Sequence, residues 1–288
     1  PLLTEGHHIS PCYEYRWRKD GESRHAFGMR VADELETKIL ELGPENVAGF
    51  VAETVVGGTA GAVAAVPGYF KRIREICDRH GVHLILDEVM CGAGRTGTLF
   101  AYQQEGIVPD MVTMAKGLAA GYQPIGALLA RDFLVESIKS GTGFFQHGHT
   151  FMGHTTAVAA ALATLQTIEE ENLLDNVLTR GQSLRTRLRA AFADYPYVGD
   201  VRGRGLFIGI EFVRDRATKE PFDPQLVLHR RLKIEAMRNG LLCYAMGGTV
   251  DGRRGDHVLI APPFTIDASH EDEIVSRLSR AVAAAMPK

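Results

Sequence analysis

Between residues 31 and 130, short apolar runs rich in β-formers alternate with helical patterns. Strand–helix units around a largely parallel sheet produce that alternation. The apolar runs fall near residues 47–53, 82–87, 111–115 and 125–130. Between the first two, Phe70, Ile73, Ile76 and Cys77 recur at helical spacing and Gly81 follows as a stop, which predicts a crossover helix. From Thr155 to about Tyr195 the pattern is helical almost without a break, rich in Ala and Leu before Asn172 and in Arg and Leu after it. Such a segment reads as a bridge between domains. Beyond Pro196 come VGDVRGRGLFIGIEFV, a polar loop, a helix near 224–239, strands near 241–245 and 257–261, and an amphipathic terminal helix in SHEDEIVSRLSRAVAAAM. The expected fold class is therefore α/β with a mainly parallel sheet in a large domain, residues 1–190 including the bridge, followed by a smaller α+β domain, residues 191–288.

Composition narrows the partners. The 288 residues are two domains' worth at roughly 150 each. With 32 Lys and Arg against 35 Asp and Glu, the net charge of −3 argues against a general nucleic-acid binder. Residues 47–66 form a run long enough to raise a membrane span, but Glu53 sits inside it and its second half is rich in Gly and Ala. A buried strand running into a glycine loop fits better, so no membrane association is expected. Cys12, Cys77, Cys91 and Cys243 are scattered without a C-x-x-C pair, which points to a reducing cytoplasm. No apolar core with a small-residue cleavage site marks a secretory signal at the N-terminus.

Three clusters invite a chemical reading. GAGRTG, Gly92–Gly97, has dinucleotide-fingerprint spacing, but that fingerprint needs its first glycine at the strand tip and an acidic residue ending the next strand. Here Asp87 to Cys91 intervene, and neither Glu105 nor Asp110 ends a strand. His147, His149 and His154 lie in a glycine-rich loop with no Cys or carboxylate within it, so ordinary hydrogen bonding is expected rather than a metal site. The sharper pair is Asp87, closing HLILD, and Lys116, following MVTMA. In a parallel sheet both would face the crevice at the carboxyl ends of the strands, where α/β ligands bind. A desolvated lysine amine can form a Schiff base and an aspartate can hold a protonated ring nitrogen, the minimal equipment for pyridoxal phosphate chemistry.

The run LILDEVMCGAGRTGTLFAYQQEGIVPDMVTMAKGLAAGYQPIGALLA resembles the signature of the class III aminotransferases. The likeness continues through HTFMGHTTAVAAALA, RGRGLFIGIEF and APPFTI. It implies a three-layer, fold type I large domain, pyridoxal 5'-phosphate as cofactor, and a homodimer with shared active sites. It implies Lys116 as the Schiff-base lysine, Asp87 as the partner of the pyridine nitrogen, and Val89 beneath the ring. Thr150 matches the threonine that binds the cofactor phosphate across the dimer interface. Glu53 aligns with a glutamate on the substrate side, its structural alternative being a satisfied strand-end carboxylate.

Two departures stand out. Met90 replaces the glutamine many relatives place after Asp-Glu-Val, and Leu259 stands where an arginine precedes the Pro-Pro pair in amino-acid-specific relatives. Arg253 and Arg254 are the candidates to hold a substrate carboxylate instead; two solvated turn arginines are the alternative. The glycine/serine loop that cradles the phosphate and the aromatic residue stacked on the ring are not in this sequence, so the chain reads as the C-terminal two-thirds of such an enzyme. The expected reaction is transfer of an amino group between an amine or ω-amino acid and a keto acid such as pyruvate. A decarboxylase, epimerase or aminomutase of the same family, or a catalytically silent fragment, are the alternatives.

Overall fold

The computed structural model describes residues 5–287. Pro1–Thr4, the first residues of the expected large domain, and Lys288 lie outside them. The N-terminal part runs through α1 (Glu14–Trp17), α2 (Arg24–Leu42), β1 (Gly49–Glu53), the two-stranded ribbon β2 (Val55–Val56) and β3 (Val63–Ala64), α3 (Tyr69–His80), β4 (His83–Asp87), β5 (Met111–Met114), β6 (Ala127–Ala130) and α4 (Asp132–Ser140). The expected crossover is α3. Gly81 ends it in a left-handed conformation (φ +66°) and donates its N–H to the Cys77 carbonyl, a geometry that disfavours any residue with a Cβ.

The first sheet has the order β1-β4-β5-β6, parallel across its first two junctions and antiparallel between β5 and β6. The reversal follows from the connection. The segment between β5 and β6, residues 115–126, holds only the short helical turn Lys116–Ala119 and no α-helix to carry the chain back for a parallel return. One face of the sheet is covered by α2 and α3, through Phe27, Val31, Leu35 and Ile39 of the first and Phe70, Ile73 and Ile76 of the second, against Leu84 and Leu86 of β4.

The helical stretch after residue 154 divides into α5 (Thr155–Glu170) and α6 (Leu173–Ala191), with Asn172 left-handed at φ +50° between them. His154 caps α5 by accepting the Ala157 N–H. The bridging role falls to α6, whose Val177, Leu184 and Leu188 enter the core of the second lobe. That lobe comprises β7 (Val198–Arg204), β8 (Phe207–Phe212), α7 (Leu228–Arg238), β9 (Tyr244–Gly247), β10 (Asp256–Ile260) and α8 (Ala268–Ala285). Its antiparallel sheet has the order β7-β8-β10-β9, and Ile208, Ile210 and Phe212 pack beneath α6, α7 and α8. The strand expected at 241–245 begins only at Tyr244, because the Leu241 N–H closes α7 by donating to the Ala236 carbonyl.

Where α6 crosses the β7–β8 turn, two backbones meet with no room for a side chain. A Cβ on Gly181 of α6 would fall inside the van der Waals envelope of the Gly205 carbonyl at the β7–β8 turn. Gly181→Ala therefore has to move a helix off a β-turn, and overpacking of this kind costs roughly 1–3 kcal/mol. Urea denaturation should show a lowered midpoint at an unchanged slope.

Candidate active site

Parallel register places three side chains in one row. Glu53 at the end of β1 pairs with Asp87 at the end of β4, which pairs with Thr113 of β5. Side chains alternate along β4, so Leu84 and Leu86 enter the core below while Asp87 points to the other, half-buried face. Beyond β5, Ala115 is extended and Lys116 takes φ +44°, a left-handed conformation that a residue with a Cβ rarely holds. The turn it opens is anchored by Leu118 and Ala119, which pack with Met114, Ala93 and Ala161 of α5. Lys116 itself is exposed at the crevice. Strain at a site that packing over-determines is a recurrent mark of functional positions.

The segment after β4 is fixed by a buried carboxylate. Glu88 accepts the Thr54 hydroxyl at 2.8 Å and the Ala101 and Tyr102 N–H groups at 2.6 and 2.7 Å, and burial raises its pKa. With that loop held, Asp87 Oδ1 accepts the Val89 N–H at 2.9 Å, leaving Oδ2 for a second partner. Val89 is half-buried immediately beyond. Glu53 Oε2 accepts the Gly57 N–H at 2.8 Å. Burial raises the Glu53 pKa, with the Gly57 N–H opposing, the Asp87 charge adding and the Lys116 charge opposing. Met90 and Tyr244 close this corner: a Cβ on Gly57 would meet Met90 Sδ at 2.5 Å, and one on Gly58 would meet the Tyr244 ring at 3.4 Å.

The structure thus brings Glu53, Asp87, Val89 and Lys116 together. Thr150 is exposed on the loop preceding α5, amid exposed Phe144, Phe145, Phe151 and Met152. Arg253 and Arg254 occupy an exposed turn between β9 and β10, where Asp251 Oδ1 accepts both their backbone N–H groups at 3.0 and 2.7 Å and Oδ2 pairs with Arg254 Nε at 2.7 Å. The Arg254 side chain lines a cleft of the second lobe with Tyr197, Glu220 and Phe222, to which Glu53, Asp87 and Lys116 do not contribute. Leu259 is buried against Val55, Cys91 and Phe207.

Two buried ionisable residues received no role from the sequence. Glu211, fully buried, is bound by Arg16 and Arg202, and fully buried His257 of β10 pairs through Nδ1 with the Thr249 hydroxyl at 2.7 Å. Their available signal was a single ionisable residue inside each of two strand-like apolar runs, FIGIEF and HVLI.

A parallel strand-end crevice holding a lysine and an aspartate is the place where α/β folds bind their ligands. The pattern described as Aminotransferase class-III matches residues 9–282, and the chain belongs to that family. An aminotransferase of Gibberella zeae is 44% identical over 281 residues, 97% of this chain and 55% of its own length. The hypotaurine/taurine–pyruvate aminotransferase of Paracoccus denitrificans is 38% identical, covering 95% of this chain and 59% of its own length. The solved omega transaminase of Pseudomonas jessenii in complex with PMP superposes with a TM-score of 0.88 at 36% identity, over 96% of this chain and 60% of that one. The fold is accordingly fold type I, and the chain spans little more than half the length of the relatives it matches.

Burial, with the nearby Arg202 charge adding, pushes the His257 pKa down from 6.5 to about 4. The unfolded chain therefore takes up this proton first. The stability that neutral His257 contributes is complete above pH 6.5 and is lost as pH falls towards about 4, at up to about 1.4 kcal/mol per pH unit. Equilibrium unfolding at stepped pH should show this slope, and His257→Gln should flatten it.

Proposed function

We propose that the protein of which this chain is part is a pyridoxal 5'-phosphate-dependent aminotransferase, moving an amino group between an amine or ω-amino acid and a keto acid such as pyruvate. The observation that carries this reading is Asp87 in register between two parallel strands, with Lys116 in a left-handed turn at the end of the next. The donor set fits the cofactor: a carboxylate with one oxygen free suits a protonated ring nitrogen, and an exposed amine at the crevice suits a carbonyl. When bound, the cofactor supplies an electron sink for bond-breaking at the substrate carbon that bears the amine. Lys116 holds it and then moves the proton of that carbon as general base and acid through Nζ. With the cofactor bound, Asp87 would keep the ring nitrogen protonated, Val89 would pack against the ring and Glu53 would border the substrate.

Thr150 would reach the phosphate in a second copy of the chain. The exposed Phe144, Phe145, Phe151 and Met152 around it support a homodimer, since contiguous apolar surface of this kind marks interfaces. We assign residues 1–190 to the cofactor-binding domain and 191–288 to the small domain, with α6 packed between them. Four free thiols suit a cytoplasmic setting, and no helix among the described residues is long and apolar enough to cross a membrane.

Incubation with candidate amines and pyruvate, followed by mass spectrometry, should reveal alanine and the matching carbonyl product. Carbon dioxide or an isomerised amine as the product would replace transamination with another reaction of the family. Borohydride reduction in the presence of pyridoxal phosphate should place the label on Lys116 in peptide maps. Lys116→Ala should abolish it, and label recovered on Lys71 or Lys139 would refute the assignment. Asp87→Asn should leave the fold intact and slow amino transfer by about 100-fold or more, because a fixed charge in a low-dielectric crevice is lost.

The substrate carboxylate needs a cationic partner, ideally a guanidinium. Asp251 already engages Arg254, which leaves Arg253 the freer of the two. Replacing both with Ala should raise the KM for pyruvate about tenfold and spare the half-reaction of a carboxylate-free amine. Equal damage to both would make the arginines structural.

A further inference from the structure

We infer that Arg202, in the second lobe, is a positioning residue that clamps the Gly57–Gly61 turn and through it sets the place of Glu53. The role given to Glu53 rests on the proposed amino transfer; the clamp itself does not.

Arg202 divides its donors between two lobes. Nη1 reaches Glu211 Oε2 at 2.6 Å and Asp200 Oδ2 at 3.0 Å, both on the β7–β8 ladder. Nε donates to the Gly61 carbonyl at 2.7 Å, and Nη2 donates to the Ala60 carbonyl. Its guanidinium also lies 4.9 Å from the centre of the Tyr13 ring. Glu211, buried in full, accepts the Tyr13 hydroxyl and is held on its other oxygen by Arg16 Nε at 2.7 Å. Two carboxylates, Glu211 and Asp200, thus face two guanidiniums, Arg202 and Arg16, so the cluster is neutral and its orientation is fixed at both ends.

The turn it grips is short and rigid. Gly61 donates its N–H to the Gly57 carbonyl at 2.8 Å, and the Gly57 N–H in turn binds Glu53 Oε2 at 2.8 Å. Gly61, at φ +77°, rests against the His257 ring, where a Cβ would come within 2.7 Å. Gly209 of β8 lies so close to the Gly61 carbonyl that it too has no room for a Cβ. Arg202, Gly209 and His257 therefore hold one side of the turn while Glu53 receives its other side. The path runs from a buried ion pair through two carbonyls and one N–H to a carboxylate in register with Asp87. A lysine can keep a charge beside Glu211 and Asp200, but one ammonium cannot also reproduce the planar fork that spans both carbonyls.

Arg202→Lys in this chain is the direct test, with Arg202→Gln beside it. Hydrogen exchange of the Gly57 and Gly61 amides should quicken roughly tenfold in Arg202→Lys while amides of α3 and β8 keep their rates. Unchanged exchange in the turn would overturn the clamp whatever the enzyme does. In the active enzyme, Arg202→Lys should raise the amine KM several-fold with kcat largely kept, less severely than Arg202→Gln, and combining it with Glu53→Gln should add little to Glu53→Gln alone. Fully additive effects would overturn the link to Glu53. Wild-type protein that exchanges as expected but transfers no amino group would refute the proposed function and leave the clamp standing. If Arg202→Gln does not fold, Arg202→Lys decides alone.

Discussion

Parallel pairing of β4 with both of its neighbours is the constraint on which the site depends. In a parallel ladder, residues in register point to the same face, so once Leu84 and Leu86 are committed to the core, Asp87 must project into the crevice with Glu53 and Thr113 beside it. A slip of one residue would turn Asp87 into an apolar core. Hydrophobic burial below the sheet thereby fixes the chemistry above it. Glu88 completes the arrangement by binding three donors from other segments, which stops the chain from continuing as a strand.

A second constraint is the junction of the two lobes, built from close backbone contacts and from charged groups satisfied by carbonyls. Arg95, from the loop following Asp87, donates to the carbonyls of Leu206 and Pro262 and lies 4.5 Å from the Phe264 ring centre. Burial pulls its pKa down to about 10, so it stays protonated at neutral pH. Gly94 and Gly97 of the same loop leave room for Phe264, Leu174 and Leu178. Two glycines of GAGRTG thus serve packing against α6 and Phe264, while Gly92 lies against Glu88 of its own loop, so the dinucleotide spacing has a packing cause.

Much of this was legible along the chain. The four strands of the first sheet, the α3 crossover and the strand-end positions of Asp87 and Lys116 follow from short apolar runs and helical spacing, because each element's burial pattern is local. The reversal of β6 and the late start of β9 were not legible. They depend on what the connection packs against and on a hydrogen bond that closes a helix, neither of which leaves a periodic trace. Arg253 and Arg254 read as candidates for a substrate carboxylate, with solvated turn arginines as the alternative, and only the fold shows Asp251 engaging them.

The sequence by itself determined the family and the main alternation of strands and helices, and it singled out Lys116 and Asp87 as strand-end candidates, since those rest on spacing and motif. Tertiary structure alone decided that Lys116 would leave β5 in a left-handed turn and that Glu53 would lie in register with Asp87. It also decided that an arginine 141 residues from Gly61 would bind that turn's carbonyl. Register and long-range polar contacts are properties of pairs of segments. The physical reason they escape a reading along the chain is that the energy selecting them appears only when both partners are desolvated together.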